Sequence, residues 1–191
     1  MDFHILCTGC RTYRRFKQKQ IPEEILDELL ENARIANSAM NGQPLRYVLV
    51  KTSEAVRKIQ PCFHFAAALP KELGQPKEGE QPAAFIILCT EGPETPWTGI
   101  DIGIAVRTMN LNAYIHGVGS CIIGNVEFEK VKEILSIPET WIPRLALALG
   151  YPSHKSTIVE LPEDGSVKYY LDEERQYYVP KRKRKDISII R

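Results

Sequence analysis

Positively charged side chains are concentrated near both ends of this 191-residue chain, in a pattern that could bind an anion. Arg11, Arg14 and Arg15 alternate with a hydroxyl group and two aromatic rings in the run Arg-Thr-Tyr-Arg-Arg-Phe, which we call the N-terminal cluster. Five consecutive basic residues occupy positions 181–185. Guanidinium groups beside a hydroxyl are well suited to hold phosphate oxygens. The N-terminal cluster is therefore predicted to form part of a phosphate site.

The remainder of the chain is acidic, and this segregation restricts the class of partner. Residues 21–180 hold 14 of the 25 basic and 22 of the 24 acidic side chains, although the formal net charge is +1. Non-specific nucleic-acid binding needs many distributed Lys and Arg contacts, which an acidic body would oppose. We therefore predict no nucleic-acid partner and favour one small anion held by both ends of the chain. Two alternatives stay open for residues 181–185: a salt-sensitive contact with nucleic acid or a frayed, solvated terminus.

Three further patterns resemble functional motifs but lack the context that each requires. Cys7 and Cys10 have redox or metal spacing, yet no strand precedes them and no second pair completes a zinc site. The glycines at 117 and 119 follow a helix and lead into a strand, the reverse of a dinucleotide-binding turn. The four histidines lack ligand spacing, so no metal site is predicted.

Hydrophobic periodicity and turn signals predict the elements that position these residues. The predicted helices span 21–36, 53–60, 101–116 and 127–136, and the predicted strands span 46–51, 83–90, 144–150 and part of 117–124. Helix 101–116 is apolar on nearly every face, which is typical of a central helix surrounded by protein. Residues 67–82, with three prolines and two glycines, are predicted as a loop. Because strands and helices do not alternate strictly, we predict an α+β fold with a mixed central sheet and helices on both sides.

The chain is expected to form one domain over residues 1–191, with a C-terminal extension that wraps around a partner subunit. Its 43% of hydrophobic residues suffice for one core. Residues 153–191 show no obvious core helix, yet they carry several tyrosine rings that must be buried somewhere. A partner subunit is a plausible place for them.

The sequence also predicts the compartment. Five cysteines are an odd number, and several lie in apolar segments, which argues against a disulfide framework. No apolar stretch reaches the length of a membrane span, and the apolar patch near the N-terminus is too short for a signal sequence. We predict a cytoplasmic protein with no membrane partner.

Five sequence blocks, in order, resemble those of the FMN-dependent nitroreductase family. The family's Arg-Arg-Ser-x-Arg-x-Phe, followed by Pro-hydrophobic-acidic, is similar to residues 10–16 and 21–24. Its Ala-x-Ser-x-x-Asn-x-Gln-Pro is matched by 36–44, its Asp-x-Gly-x-Ala by 101–105, its Gly-x-Gly-Ser-Cys-x-Ile-Gly by 117–124 and its Leu-Gly-Tyr-Pro by 147–152. No single block is specific, but five in family order are.

The resemblance implies a nitroreductase-like fold and a homodimer with two FMN sites at its interface, each built from both chains. Arg11, Thr12, Arg14, Lys181 and Arg182 would hold the phosphate and the ribityl chain. The partner chain would contribute Ser38, Ala39 and Asn41 to the flavin ring, and the backbone of Ile123 and Gly124 would reach the N5 edge of the ring. Arg14 would also be the cation near ring atoms N1 and O2.

The resemblance further implies an oxidoreductase in which NADH or NADPH reduces the flavin and leaves. An organic acceptor, such as a nitroaromatic or a quinone, then takes its place in a ping-pong mechanism. No side chain is expected to act as a catalytic acid or base, since the chemistry belongs to the cofactor. The alternative is a protein of the same fold that binds FMN or another small ligand without nicotinamide-driven turnover.

Three positions depart from the family pattern. Cys10 stands where the family usually has its first arginine, so Arg11, Arg15 or Arg184 would have to supply that charge. Asn37 replaces a usual proline and Leu45 a usual aromatic residue. Residues 61–82 and 93–98, the latter including Trp97, are expected to line the substrate side.

Overall fold

The computed structural model describes residues 2–191, except for the side chain of residue 71. Its helices are α1 (Phe3–Gly9), α2 (Glu23–Arg34), α3 (Ser53–Ile59), α4 (Lys71–Gly74), α5 (Thr98–Ile115) and α6 (Phe128–Leu135). Its strands are β1 (Phe16–Lys17), β2 (Leu45–Val50), β3 (Ala84–Glu91), β4 (Gly119–Ile123), β5 (Trp141–Pro152), β6 (Ser156–Glu160), β7 (Tyr170–Leu171) and β8 (Tyr177–Lys181). The four predicted helices and four predicted strands are all present. Strands β1, β6, β7 and β8 were not predicted, and the one-turn helix α4 lies within residues 67–82, which were predicted as a loop.

A five-stranded sheet organises the fold around β5. Strands β1, β5, β3 and β2 follow one another, and β4 pairs with β5 on the edge opposite β3. Every pairing in this sheet is antiparallel. The α+β prediction is confirmed, but the predicted mixed character of the central sheet is wrong. A continuous apolar run such as β3 resembles a parallel strand because helices cover both faces, and burial on both faces does not fix strand direction.

The two faces of the sheet pack against different helices, which confirms the prediction of helices on both sides. Ile86 and Leu88 of β3 share one core cluster with residues of α2 and α5. Their neighbours Phe85 and Ile87 share the other cluster with residues of α3 and α6. Alternate residues of a strand point to opposite faces, so one buried strand supplies both cores.

Helix α5 crosses one face of the sheet, and residues of the same chain cover only one side of this helix. Val106 and Met109 are buried against the sheet, as the prediction of a central helix requires. Ile100, Ile104 and Ile115 remain 52%, 37% and 52% exposed. We call these three residues the α5 stripe. The prediction that protein surrounds the helix therefore fails for this side within the single chain.

The C-terminal extension folds back on the chain as a second, three-stranded sheet in the order β6, β8, β7. Strands β6 and β8 are parallel and β7 is antiparallel to β8. Tyr177 of β8 is 1% exposed, so part of the extension is buried within its own subunit. Residues 182–191 are exposed, including Ile187, Ile189 and Ile190. Wrapping of these last residues around a partner stays a prediction.

Within residues 2–191, no helix combines the length and the apolar character needed to cross a membrane.

Candidate functional site

A pocket of about 270 Å³ lies where the two ends of the chain meet. We call it the cationic pocket. Its lining residues come from the N-terminal segment, α5, β4 and the C-terminal extension, namely Cys10, Arg11, Thr12, Arg14, Arg107, Asn110, Ser120, Ile122, Tyr169, Val179 and Lys181. Four of these side chains are cationic and, among the described residues, none of the lining is acidic. The pocket therefore presents a concentrated positive potential to an anion.

The N-terminal cluster reaches the pocket because it lies along the edge of β4. Thr12 forms an isolated parallel bridge with Ser120, and the backbone N–H of Tyr13 donates to the Ser120 carbonyl at 2.9 Å. A Cβ atom on Gly119 would lie 2.6 Å from Pro152 Cγ and 2.8 Å from Tyr13 Cδ2. Glycine at 119 is thus required for this close approach.

Arg14 is held by aromatic rings rather than by a carboxylate. Its guanidinium carbon lies 4.6 Å from the ring centre of Tyr169 and 4.8 Å from that of Tyr177, which is cation–π geometry. Its Nε atom is buried with no hydrogen-bond partner among the described residues. The positive charge of Arg14 is therefore positioned by the extension but left without a counter-ion in residues 2–191.

His154 fixes the backbone at the same residue. Its Nε2 atom accepts a hydrogen bond from the backbone N–H of Arg14 at 3.0 Å. Burial lowers the pKa of His154 to about 4. A hydrogen bond to the Lys155 carbonyl opposes this shift, and the charges of Arg15 and Arg14 add to it. The ring is therefore neutral at pH 7 and free to accept this bond. This role was not predictable from local sequence, because His154 lies 140 residues away from Arg14 along the chain.

Arg15 belongs to a different environment. Its Nη1 atom lies 3.8 Å from Glu80 Oε1, and its Nη2 donates to the carbonyl of Arg175. Neither Arg15 nor Arg184 is among the residues that line the cationic pocket. The expectation that either of them replaces the charge missing at Cys10 finds no support in their positions.

A hydrogen-bonded cluster around Asn110 closes the wall of the pocket at Cys10. The Cys10 thiol donates to Asn110 Oδ1 at 2.9 Å, and Arg107 Nη1 also donates to this oxygen. Asn110 Nδ2 donates to Ser120 Oγ, which ties α5 to β4. Burial raises the pKa of the Cys10 thiol despite the nearby Arg107, so the thiol is neutral at pH 7.

Arg107 and Asn110 were not predicted as site residues, because they stand in a helix whose sequence is apolar on nearly every face. Their spacing of three residues places both on one face of α5, and a polar pair on one face of an otherwise apolar helix is the signal that could have found them. Tyr169 was missed because nothing local distinguishes it from the other tyrosines of the extension.

Of the residues predicted to serve the partner's flavin, Ser38 lines a separate pocket, whereas Ala39 and Asn41 lie in the adjoining 3-10 turn Ala39–Asn41 and do not line it. Ser38 lines a cavity of about 150 Å³ together with Asn37, Gln43 and Asp101, and none of its lining residues belongs to the cationic pocket. Ala39 N–H donates to Asp101 Oδ1 at 2.9 Å, and Ser38 Oγ accepts from the N–H of Gln43 at 3.1 Å. Asp101 therefore anchors this turn to α5.

Several predicted positions stay outside the lining of the cationic pocket. Ile123, Gly124 and Arg182 are not part of it, although Ile122 is. A Cβ atom on Gly124 would meet its nearest neighbour, Leu145 Cδ1, at 3.8 Å, so the space before this glycine is open. Trp97 is 51% exposed. The assignment of residues 61–82 and 93–98 to the substrate side stays a prediction.

Comparisons with known proteins agree with the sequence blocks. The model of the nitroreductase family matches residues 8–151. A protein of Methanothermobacter thermautotrophicus, named putative NADH dehydrogenase/NAD(P)H nitroreductase, is 29% identical over 150 residues, which cover 75% of this chain and 73% of the relative. The FMN reductase [NAD(P)H] of Bacillus subtilis is 26% identical over 78% of this chain and 65% of its own length.

A solved structure supports the fold in particular. The FMN-dependent nitroreductase of Clostridium difficile R20291 superposes with a TM-score of 0.64 at 19% identity, over 78% of this chain and 89% of that one. The predicted nitroreductase-like fold is confirmed.

Proposed function

The chain belongs to the nitroreductase family, and we propose that it is an FMN-dependent oxidoreductase that transfers electrons from NADH or NADPH to a small organic acceptor. The names of the relatives support this reaction class, since they include NAD(P)H nitroreductases and FMN reductases. The cationic pocket is the observation that carries the proposal.

The residues of the cationic pocket fit a flavin mononucleotide. The phosphate of FMN is a dianion, and such groups are bound by arginine and lysine side chains near hydroxyl and backbone donors. Arg11, Arg14, Arg107 and Lys181 line the pocket beside Thr12, and the described lining contains no carboxylate to neutralise them. A buried, unpartnered Arg14 Nε points to a polar ligand that this chain does not itself supply.

The bound flavin would accept and donate the electrons, and the chain would bind and orient it. In this proposal Arg11, Thr12, Lys181 and Arg182 hold the phosphate and ribityl groups. Arg14 places its charge beside the N1 and O2 side of the ring, where negative charge accumulates on reduction. No side chain of this site is assigned a proton-transfer role.

Two copies of the chain would complete each site. The volume of about 270 Å³ lies below the usual range of roughly 300–1,000 Å³ for ligand pockets, and the turn at 38–41 is not part of it. The α5 stripe is an exposed apolar surface on the helix that carries both Arg107 and Asp101. A homodimer that buries this stripe would bring Ser38, Ala39 and Asn41 of one subunit to the flavin of the other.

Ile104→Glu tests the dimer. A charge in the α5 stripe should yield a monomer by light scattering and abolish retention of FMN, because each flavin would lose the partner's residues. The matched control is Ile134→Glu on α6, where the native side chain is also exposed, at 42%. A dimeric Ile104→Glu variant that retains FMN would contradict the proposed interface.

An absorbance spectrum tests the function directly. The purified protein should be yellow, should bleach when NADH or NADPH is added without oxygen, and should recover its colour when a quinone or a nitroaromatic is added. A yellow protein that neither nicotinamide reduces would instead support a flavin-binding protein without turnover. A protein that neither retains nor binds FMN would refute the proposal.

A further inference from the structure

We propose that Arg107 of α5 binds the phosphate of the flavin nucleotide and supplies the positive charge that Cys10 does not provide. The inference rests on the proposed function and adds a residue to the same site. It also replaces the expectation that Arg15 or Arg184 compensates for Cys10.

The guanidinium group of Arg107 lies beside Cys10. Arg107 Nη1 lies 3.5 Å from Cys10 Sγ, so the guanidinium group reaches the place where an arginine at position 10 would begin. Cys10 itself is 2% exposed and neutral, and its thiol is already engaged by Asn110. Arg107 therefore places positive charge directly beside Cys10, which carries none.

Arg107 also has hydrogen-bond donors that remain available to a ligand. Among the described residues, Arg107 forms no salt bridge with a carboxylate. Its guanidinium group donates hydrogen bonds to these residues through Nη1 alone. A guanidinium group carries five N–H donors, so donors on Nε and Nη2 remain for a ligand. Asn110 accepts from Nη1 and thereby orients the group, and Asn110 is in turn held by Ser120.

The other cations of the pocket are arranged around Arg107 in a way that favours a phosphate. The guanidinium of Arg14 packs against the rings of Tyr169 and Tyr177, so its position is set by the extension. Arg11 donates to the carbonyls of Cys10 and Cys7 and keeps its group at the same wall as Arg107. With Lys181, which also lines the pocket, Arg11 and Arg107 give three cations besides Arg14, enough to neutralise a phosphate monoester of about two negative charges.

The test compares FMN with riboflavin, which lacks the phosphate. Dissociation constants for both are measured by flavin fluorescence with the wild type, Arg107→Gln and Arg107→Met. We expect both variants to raise the FMN dissociation constant at least tenfold and to change the riboflavin constant less than twofold. Arg107→Lys, which keeps the charge without the planar fork, should fall between these variants and the wild type.

Arg57→Gln is the matched control, because it removes an exposed helical arginine on the other face of the sheet, outside the cationic pocket. It should leave both constants unchanged. The ratio of the two constants is read within one variant, so a partly misfolded sample does not alter it.

The outcomes separate this inference from the proposed function. Suppose that the wild type binds FMN, and that Arg107→Gln and Arg107→Met leave the ratio of the FMN and riboflavin dissociation constants unchanged. Arg107 then does not bind the phosphate, and the proposed function stands. An equal loss of affinity for FMN and for riboflavin would identify Arg107 as a structural residue and would also overturn the inference. A wild type that binds neither flavin overturns both.

Discussion

Arg14 and Arg15 are adjacent in the sequence, yet their side chains enter regions of opposite electrostatic character. Arg14 faces the cationic pocket, whose described lining contains no acidic residue. Arg15 enters an ion-pair cluster in which Glu80 Oε1 lies 2.8 Å from Arg175 Nη1 and 3.8 Å from Arg15 Nη1. One region concentrates unpaired positive charge, and the other neutralises it.

This difference in charge distinguishes a region suited to ligand binding from a region suited to stabilising the fold. Like charges gathered without a counter-ion repel each other and reduce stability, so such a pocket is retained where a ligand supplies the opposite charge. The ion-pair cluster instead joins the loop at Glu80 to the N-terminal segment and to the extension at Arg175. We therefore expect changes in the ion-pair cluster to alter folding and changes in the cationic pocket to alter flavin binding.

Glu80→Ala should have the largest effect. It leaves two partly buried guanidinium groups without their carboxylate, which typically costs about 3 kcal/mol of the free energy of unfolding. Urea unfolding measures this loss, and the FMN dissociation constant of the folded protein should change less than threefold. The control is Glu78→Ala, an exposed carboxylate of the same loop. A stable Glu80→Ala variant with impaired FMN binding would reverse the assignment of the two regions.

Acid sensitivity through His154 should be the next largest effect, because this ring is buried and accepts the backbone N–H of Arg14. Burial lowers its pKa to about 4, whereas the unfolded chain takes up the proton near pH 6.5. The unfolded state therefore binds more protons between these values, and stability falls by about 2 to 3 kcal/mol as the pH drops from 6.5 to 4.

His154→Gln should flatten this part of the profile of unfolding free energy against pH, since glutamine can accept from Arg14 without titrating. His4→Gln, at an exposed position, should not. A further loss at lower pH is expected when Glu80 is protonated. Although burial alone raises the pKa of Glu80, the Lys77 N–H and the Arg175 guanidinium hold it below its usual value. A His154→Gln profile identical to that of the wild type would contradict the role of the buried ring.

Tyr169→Leu should have the smallest effect, and it sharpens the description of Arg14. Removal of one of the two rings that hold Arg14 should weaken FMN binding about three- to fivefold, since an exposed cation–π contact is worth roughly 0.5–1 kcal/mol. Tyr169→Phe should bind like the wild type, because it keeps the ring. Tyr170→Leu, at the exposed neighbouring tyrosine, is the control. Equal losses in the leucine and phenylalanine variants would assign the effect to the hydroxyl group.

The sequence predicted most of the elements because their signals are local. The apolar spacing that predicted a helix over 21–36 gave α2 at Glu23–Arg34, and the apolar run at 83–90 gave β3 at Ala84–Glu91. The exact ends of these elements and the two-residue strand β1 were not predicted, because too few residues there carry a periodic pattern. The pairing directions of the strands in the central sheet were not predicted either, because the register between distant strands cannot be read from the sequence of either strand alone.

By itself, the amino-acid sequence determined that this chain has an α+β core and that its positive charge is gathered near its two ends. It also placed Arg14 and Arg15 next to each other in one cationic segment. Only the tertiary structure decided which of the two faces the cationic pocket, and that Arg107, 97 residues from Cys10, lies beside it. The reason is physical: periodicity depends on residues a few positions apart, whereas a pocket depends on contacts between segments that only the packed fold brings together.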